Sequence, residues 1–220
     1  MRRNLSDHVA EHLRQLIFGG LLAPGAHVPQ DEVADELGVS RIPIREALIA
    51  LEAEGLVGLE PHRGAFVQPI GRQDVEDHYQ MYGLIHGIAA ARSAASIDEE
   101  GLAELQALND EMRVVAPERL SELNWQFHRI INHLGGSRRL RAVLRTLARN
   151  IPANFFEDVR GSGEIAVQGH QLIIDALRRG DGDDAARACH AHLQEEGLLV
   201  VQMMRERDVL SEDVPSADER

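Results

Sequence analysis

Apolar positions recur every three to four residues through most of the chain, a spacing that predicts helices. Val9, Leu13, Leu16 and Ile17 form the stripe of a first helix over residues 5–19, and Gly19-Gly20 and Pro24-Gly25 then turn the chain. Val33 and Leu37 face inward from a short helix over 31–37. Gly38 can take the positive φ of a sharp turn, Val39 plugs the core, and Ser40 is placed to cap the next helix. That helix runs over 40–54, with Ile44, Leu48 and Leu51 inward and Gly55 at its end. Pro43 falls in its first turn, where a missing N–H costs little. The period changes at 57–60 and 65–68, two short apolar-containing runs around Pro61-His62-Arg63-Gly64. This is the pattern of a hairpin with glycine at its tip.

From residue 74 onward no strand pattern returns. Helical segments are predicted over 74–96, 97–115, 120–133, 138–150, from 161–163 to 179, and over 183–207. Pro117, Gly135-Gly136-Ser137, Pro152 and Gly180-Asp181-Gly182 separate them. The expected fold is mostly α. Residues 1–69 form a winged helix-turn-helix with a small β hairpin, and 70–73 are a linker. Residues 74–210 form an all-α bundle of six or seven helices, and 211–220 a polar, disordered tail.

Arg41 and Arg45 are four apart and share the face of their helix opposite the apolar one. Two arginines on the N-terminal half of such a helix suit the major groove, where a guanidinium forks onto guanine O6 and N7 or clamps a phosphate. The hairpin reads as a wing, and its tip can bring Arg63 and the Gly64 backbone to phosphates or the minor groove. Charge qualifies this picture. The formal net charge is −13, and the first 70 residues hold six arginines against ten carboxylates. DNA affinity must therefore come from a local patch, not from the field of the whole protein. Every fixed side-chain cation is arginine. Cys189 is the only cysteine, which excludes an intramolecular disulfide and suits a reducing compartment. The N-terminus has no apolar stretch of signal-peptide type, and no apolar run approaches a membrane span. A cytoplasmic protein without membrane partners is expected.

The ordered series Leu37-Gly38-Val39-Ser40-Arg41, Pro43-Ile44-Arg45-Glu46-Ala47-Leu48, Leu51, Glu54-Gly55-Leu56-Val57 and Arg63-Gly64-Ala65-Phe66-Val67 resembles the GntR family of bacterial regulators. The resemblance implies a DNA-facing set of Ser40, Arg41, Pro43 and Arg45 on the helix and His62, Arg63 and Gly64 at the wing tip. The remainder is similar to the FadR-type effector-sensing domain. In that domain an Asp-x-x-x-His on one helix, a His in the penultimate helix and a His in the last bind a divalent metal. By this likeness His128, His170 and His192 are the imidazole ligands, and Asn124 stands where the family has Asp. Three neutral imidazoles suit zinc, with nickel or manganese as alternatives. An amide oxygen at 124 can ligate but brings no charge. In the first bundle helix the family often has an Arg-x-x-x-Glu that holds an acidic effector. Here Tyr82 and His86 occupy those positions and are candidates to line the pocket, with Arg145 and Arg149 as possible cations from another helix.

The reading favoured is a regulator, not an enzyme: a homodimer on a short palindromic operator, responsive to a small molecule such as an organic acid. One alternative is a metal-dependent, hydrolase-like enzyme using the three histidines. Against it, no His-Glu-x-x-His and no general base are visible. A metal-free regulator, with a helical part that serves only dimerisation, is the other.

Overall fold

Val9, Leu13 and Ile17 are buried along one side of α1 (Leu5–Phe18), packed against the apolar side of α3 (Arg41–Ala53). α2 (Gln30–Leu37) closes the trihelical head against α3. Gly38 ends α2 in the left-handed region, at φ 63°, where a Cβ would be strained. Ser40 stands at the N-cap of α3 with extended backbone, but its hydroxyl accepts no capping hydrogen bond. The expected cap is therefore positional only. β1 (Val57–Glu60) and β2 (Gly64–Val67) pair antiparallel, with Val57 opposite Val67 and Glu60 opposite Gly64. The Val28 N–H donates to the Ala65 carbonyl and the Val67 N–H to that of Ala26, so residues 26–28 hold the wing from its other side.

The structure, a computed structural model, describes residues 4–149 and 155–211. These separate into two units: 4–74 with 204–211, and 75–149 with 155–203. Ile70, expected in a linker, is buried in the first unit and bridges Leu210, while the Ser211 N–H donates to the Ile70 carbonyl. Arg72 and Gln73, also expected there, already lie in α4 (Arg72–Ser93). That early start has a cause: the Asp74 carboxylate accepts from the Gly71 N–H at 2.8 Å, the backward half of a capping box. The predicted tail beyond Ser211 and the Pro152 stop lie outside the described residues.

The second unit is built from α4, α5 (Glu99–Met112), α6 (Pro117–Gly135), α7 (Arg138–Ala148), α8 (Phe155–Asp158), α9 (Ser162–Arg178) and α10 (Gly182–Glu206). α5 begins two residues later than its apolar pattern suggests, because the Asp98 side chain caps it at the Gly101 N–H. α8 is a single turn with Phe155 and Phe156 buried, too short to announce itself by periodicity. Ala89, Leu105, Phe127, Ile131, Ile173, Ile174 and Leu177 fill the core. Small residues bring α4 close to its neighbours: Gly83 abuts His190 and Gly87 abuts Ala186 of α10, while Ser93 Oγ donates to the Ile131 carbonyl of α6. Among the described residues no helix is long and apolar enough to cross a membrane.

Candidate functional site

Two places in the chain gather chemistry. The first is the outer face of α3 with the wing. Arg41 and Arg45 are exposed one turn apart, and Ser40 is exposed before them. Pro43, assigned to the DNA-facing set, is instead buried. It sits two residues from Arg41 and one from Ile44, on the side turned to the core, so its part is to start the helix. Ile42 is 69% exposed beside the arginines, an apolar tip of the kind that meets a thymine methyl, and the pattern of inward positions did not single it out. Arg41 reaches Asp31 of α2 at 3.0 Å, with both side chains largely in water. Exposed pairs of this kind contribute about 0–1 kcal/mol, so a phosphate can displace the carboxylate. At the wing tip Pro61, His62 and Arg63 are exposed, with His62 at φ 63° and Gly64 at φ 102°. Arg63 ion-pairs with Glu60 and lies over the Phe66 ring, 5.3 Å from its centroid, which lays its stem along the wing.

The second place is inside the helical unit. α6 supplies His128, α9 His170 and α10 His192, all buried, with one donor atom from each within 4.8 Å of the others. His128 Nε2 and His170 Nε2 are 3.3 Å apart. Phe127, the neighbour of His128, stacks on the His170 ring at 3.8 Å and fixes its plane. The Nδ1 atoms of His128 and His170, both ring nitrogens of His192 and the Asn124 Oδ1 are buried without a hydrogen-bond partner among the described residues. Buried polar atoms are nearly always satisfied, and such a concentration of orphans is the kind of lining that a bound group would complete. Three imidazoles and an amide oxygen are a donor set that fits a divalent cation with a position left open.

The cluster is larger than the sequence suggested. His86 is buried against His128, with ring centroids 4.7 Å apart, and Tyr82 packs edge-on to His86. Glu196 follows His192 by one helical turn, its Oε1 3.5 Å from His192 Nε2, and the Tyr79 hydroxyl is buried without a partner. Neither Glu196 nor Tyr79 was picked out from the sequence. The i, i+4 spacing of His192 and Glu196 was the available signal. Arg145 and Arg149 do not line this region. The buried Leu144 turns α7 so that both arginines face solvent. Among the described residues the only buried arginine is Arg14, in the first unit.

Burial dominates the electrostatics. It lowers the His86 pKa to about 4 and that of His192 to about 3. His128 and His170 lie well below the usual histidine value, for the same reason and because neighbouring imidazoles oppose a second charge. All four are held neutral, the form in which imidazole binds a metal. Burial also raises Glu196 to about 8 and pushes the Tyr82 and Tyr79 phenols up.

Residues 5–67 match the family of bacterial regulatory proteins named gntR, and residues 77–195 match the FCD domain. An HTH-type transcriptional regulator of Mycobacterium tuberculosis is 33% identical over 184 residues, 83% of this chain and 75% of that one. The HTH-type transcriptional repressor RspR of Escherichia coli is 29% identical over 216 residues, 95% of each chain. A GntR family regulator from Pseudomonas syringae superposes with a TM-score of 0.55 at 26% identity, covering 93% of this chain and 87% of that one. Escherichia coli McbR/YncC gives a TM-score of 0.65 at 20% identity over 91% and 98% of the chains, a likeness of fold alone. The chain belongs to the GntR family: it is a DNA-binding transcription regulator with an FCD domain, not an enzyme.

Proposed function

We propose that this regulator is a homodimer that senses a small molecule through a divalent ion, zinc in first place, held in its helical part. The observation that carries the reading is the convergence of His128, His170 and His192, with their orphaned nitrogens; Asn124, one helical turn before His128, also has a buried oxygen without a partner among the described residues. The ion would be a Lewis acid able to take an effector oxygen at its open position. His128, His170 and His192 hold and orient it, Phe127 keeps the His170 ring in plane, and Tyr82 and His86 offer hydrogen bonds beside it. With no buried arginine there among the described residues, an acidic effector would find its cationic partner in the ion. The head, residues 1–69, reads a palindromic operator in the cytoplasm, with Arg41 and Arg45 in the major groove and Arg63 at the wing. A dimer doubles the base contacts of one head. Met81, Leu84 and Ile88 form an exposed apolar stripe on α4 that supports self-association.

A second reading has its own support. His128 and His170 hydrogen-bond one another directly, so part of the cluster is satisfied without an ion and could bind an effector alone. Isothermal titration of zinc, nickel and manganese into metal-stripped protein decides between them. Uptake by wild type that disappears in His170→Ala is the expected result; no uptake by wild type removes the metal. Gel shifts on the gene's upstream DNA test operator binding, and light scattering at micromolar concentration tests the dimer.

A further inference from the structure

We propose that Glu196 supplies the negative charge of the metal centre. This rests on reading His128, His170 and His192 as the holders of a divalent ion. Three neutral imidazoles and the Asn124 amide bring donor atoms but no charge. A doubly charged ion taken out of water among them would be uncompensated, and a buried charge is tolerated only when paired. Among the described residues of this unit Glu196 is the only buried carboxylate, 3% exposed, and no buried arginine competes for it.

Position supports the assignment. Residues four apart share a helical face, so His192 and Glu196 address the same side of α10. Glu196 Oε1 lies 3.5 Å from His192 Nε2, too long for a hydrogen bond between them. The carboxylate adjoins His192 but stands outside the set of three converging donors, the place of a partner to a metal ligand. Glu196 Oε1 has no hydrogen-bond partner among the described residues, and the nearby Tyr79 hydroxyl is unpartnered as well. A carboxyl retained only for packing would be expected to have found such a bond. A buried acid with one oxygen unpartnered weakens the fold unless something cationic joins it.

The test is titration of zinc alone into the metal-stripped full chain, with thermal melts of the same samples, for wild type, Glu196→Gln, Glu196→Asp and the pair Glu196→Gln/Asn124→Asp. Glu196→Gln keeps shape and an oxygen but loses charge. Its zinc affinity should fall by about 10–100-fold, the size of effect seen for partners of metal ligands. Its metal-free melting temperature should equal or exceed that of wild type, because a poorly partnered buried carboxyl has gone. Glu196→Asp keeps the charge and should bind within a few-fold of wild type. Asn124→Asp returns a carboxylate one turn before His128 and should recover most of the loss in the double variant. Zinc binding by Glu196→Gln at wild-type affinity overturns the proposal, as does a double variant no tighter than Glu196→Gln. If wild type itself takes up no zinc, the three-imidazole reading fails and Glu196 with it, an outcome distinct from failure of Glu196 alone.

Discussion

Gly169 lies directly against the His192 ring: a Cβ at position 169 would come within 2.4 Å of Nδ1 and 2.8 Å of Cγ. In an ordinary helix Gly→Ala stabilises by up to about 1 kcal/mol. Here the obstacle is the near end of a fully buried ring that cannot swing aside, and overpacking of this kind costs about 1–3 kcal/mol. Gly169→Ala is expected to lower stability in urea and, by displacing His192, to weaken zinc uptake. A stabilised variant with intact uptake would show that the ring is free to move.

The buried imidazoles set the sign of the pH dependence of the metal-free protein. His86 and His192, at about 4 and about 3, and His128 and His170, well below 6.5, all bind protons more weakly folded than unfolded. Their neutral forms contribute stability that is complete above about pH 6.5 and lost as the pH falls toward 3–4. Glu196 acts in the opposite sense. Raised from 4.5 to about 8, its contribution is complete below about pH 4.5 and lost as the pH rises through 8. Between 4.5 and 6.5 four imidazoles outweigh one carboxyl, and above 6.5 Glu196 acts alone. Urea melts of stripped protein should therefore show greatest stability near pH 6.5 and a steeper fall on the acid side. A maximum at pH 8 or above would contradict the burial of Glu196.

Helix existence was readable wherever the 3.6 period ran long and a cap stood in front of it. Ser137, read from the sequence only as part of a break, also caps α7, accepting from the Leu140 N–H. The hairpin was readable because Pro61 to Gly64 breaks the pattern between two short apolar runs. What periodicity could not supply was the rotation of each helix about its axis. Arg145 and Arg149 looked available to a pocket until the buried Leu144 fixed the outward side of α7. Pro43 shares a motif with Arg41 and Arg45, yet falls on the buried side of the same turn. His86 was placed in a pocket, but its contact with His128 depends on how α4 packs against α6, which no local pattern encodes. Ile70 looked like linker because its bridge partner, Leu210, is far away in the chain.

Arg14 is the one charged residue on the buried side of α1, and it holds Glu54 at the end of α3 with two bonds, Nε to Oε2 at 2.9 Å and Nη2 to Oε1 at 2.7 Å. Removing one partner leaves the other charge buried and unpaired. Arg14→Met should cost about 3–5 kcal/mol, and Arg14→Met/Glu54→Leu should recover much of that loss. Urea denaturation followed by helix signal measures both. A single variant losing under about 1 kcal/mol would mean that water reaches Glu54 once the guanidinium is gone.

The acidic head must present its cations locally, and two of its exposed arginines already face its own carboxylates: Arg41 pairs with Asp31 and Arg63 with Glu60. Arg45 is exposed on the same face as Arg41 with no ion pair recorded among the described residues. Arg45→Ala should therefore weaken operator binding by about 1–3 kcal/mol and relax base preference at one position per half-site. Asp31 acts in the other direction. Its carboxylate must release Arg41 before a phosphate or guanine can be held, and its own charge repels the backbone. An exposed pair is worth about 1 kcal/mol or less, so Asp31→Asn should tighten operator binding a few-fold at low salt, with the gain shrinking as salt screens it. Arg63→Ala should instead lower affinity across all sequences and flatten the salt dependence, because a wing-tip arginine meets phosphate or the minor groove. Fluorescence anisotropy on operator and scrambled duplexes at three salt concentrations reads all three variants. Equal affinity of Asp31→Asn and wild type at every salt would show that Arg41 does not leave its partner to bind DNA, and the major-groove assignment would then rest on Arg45 alone.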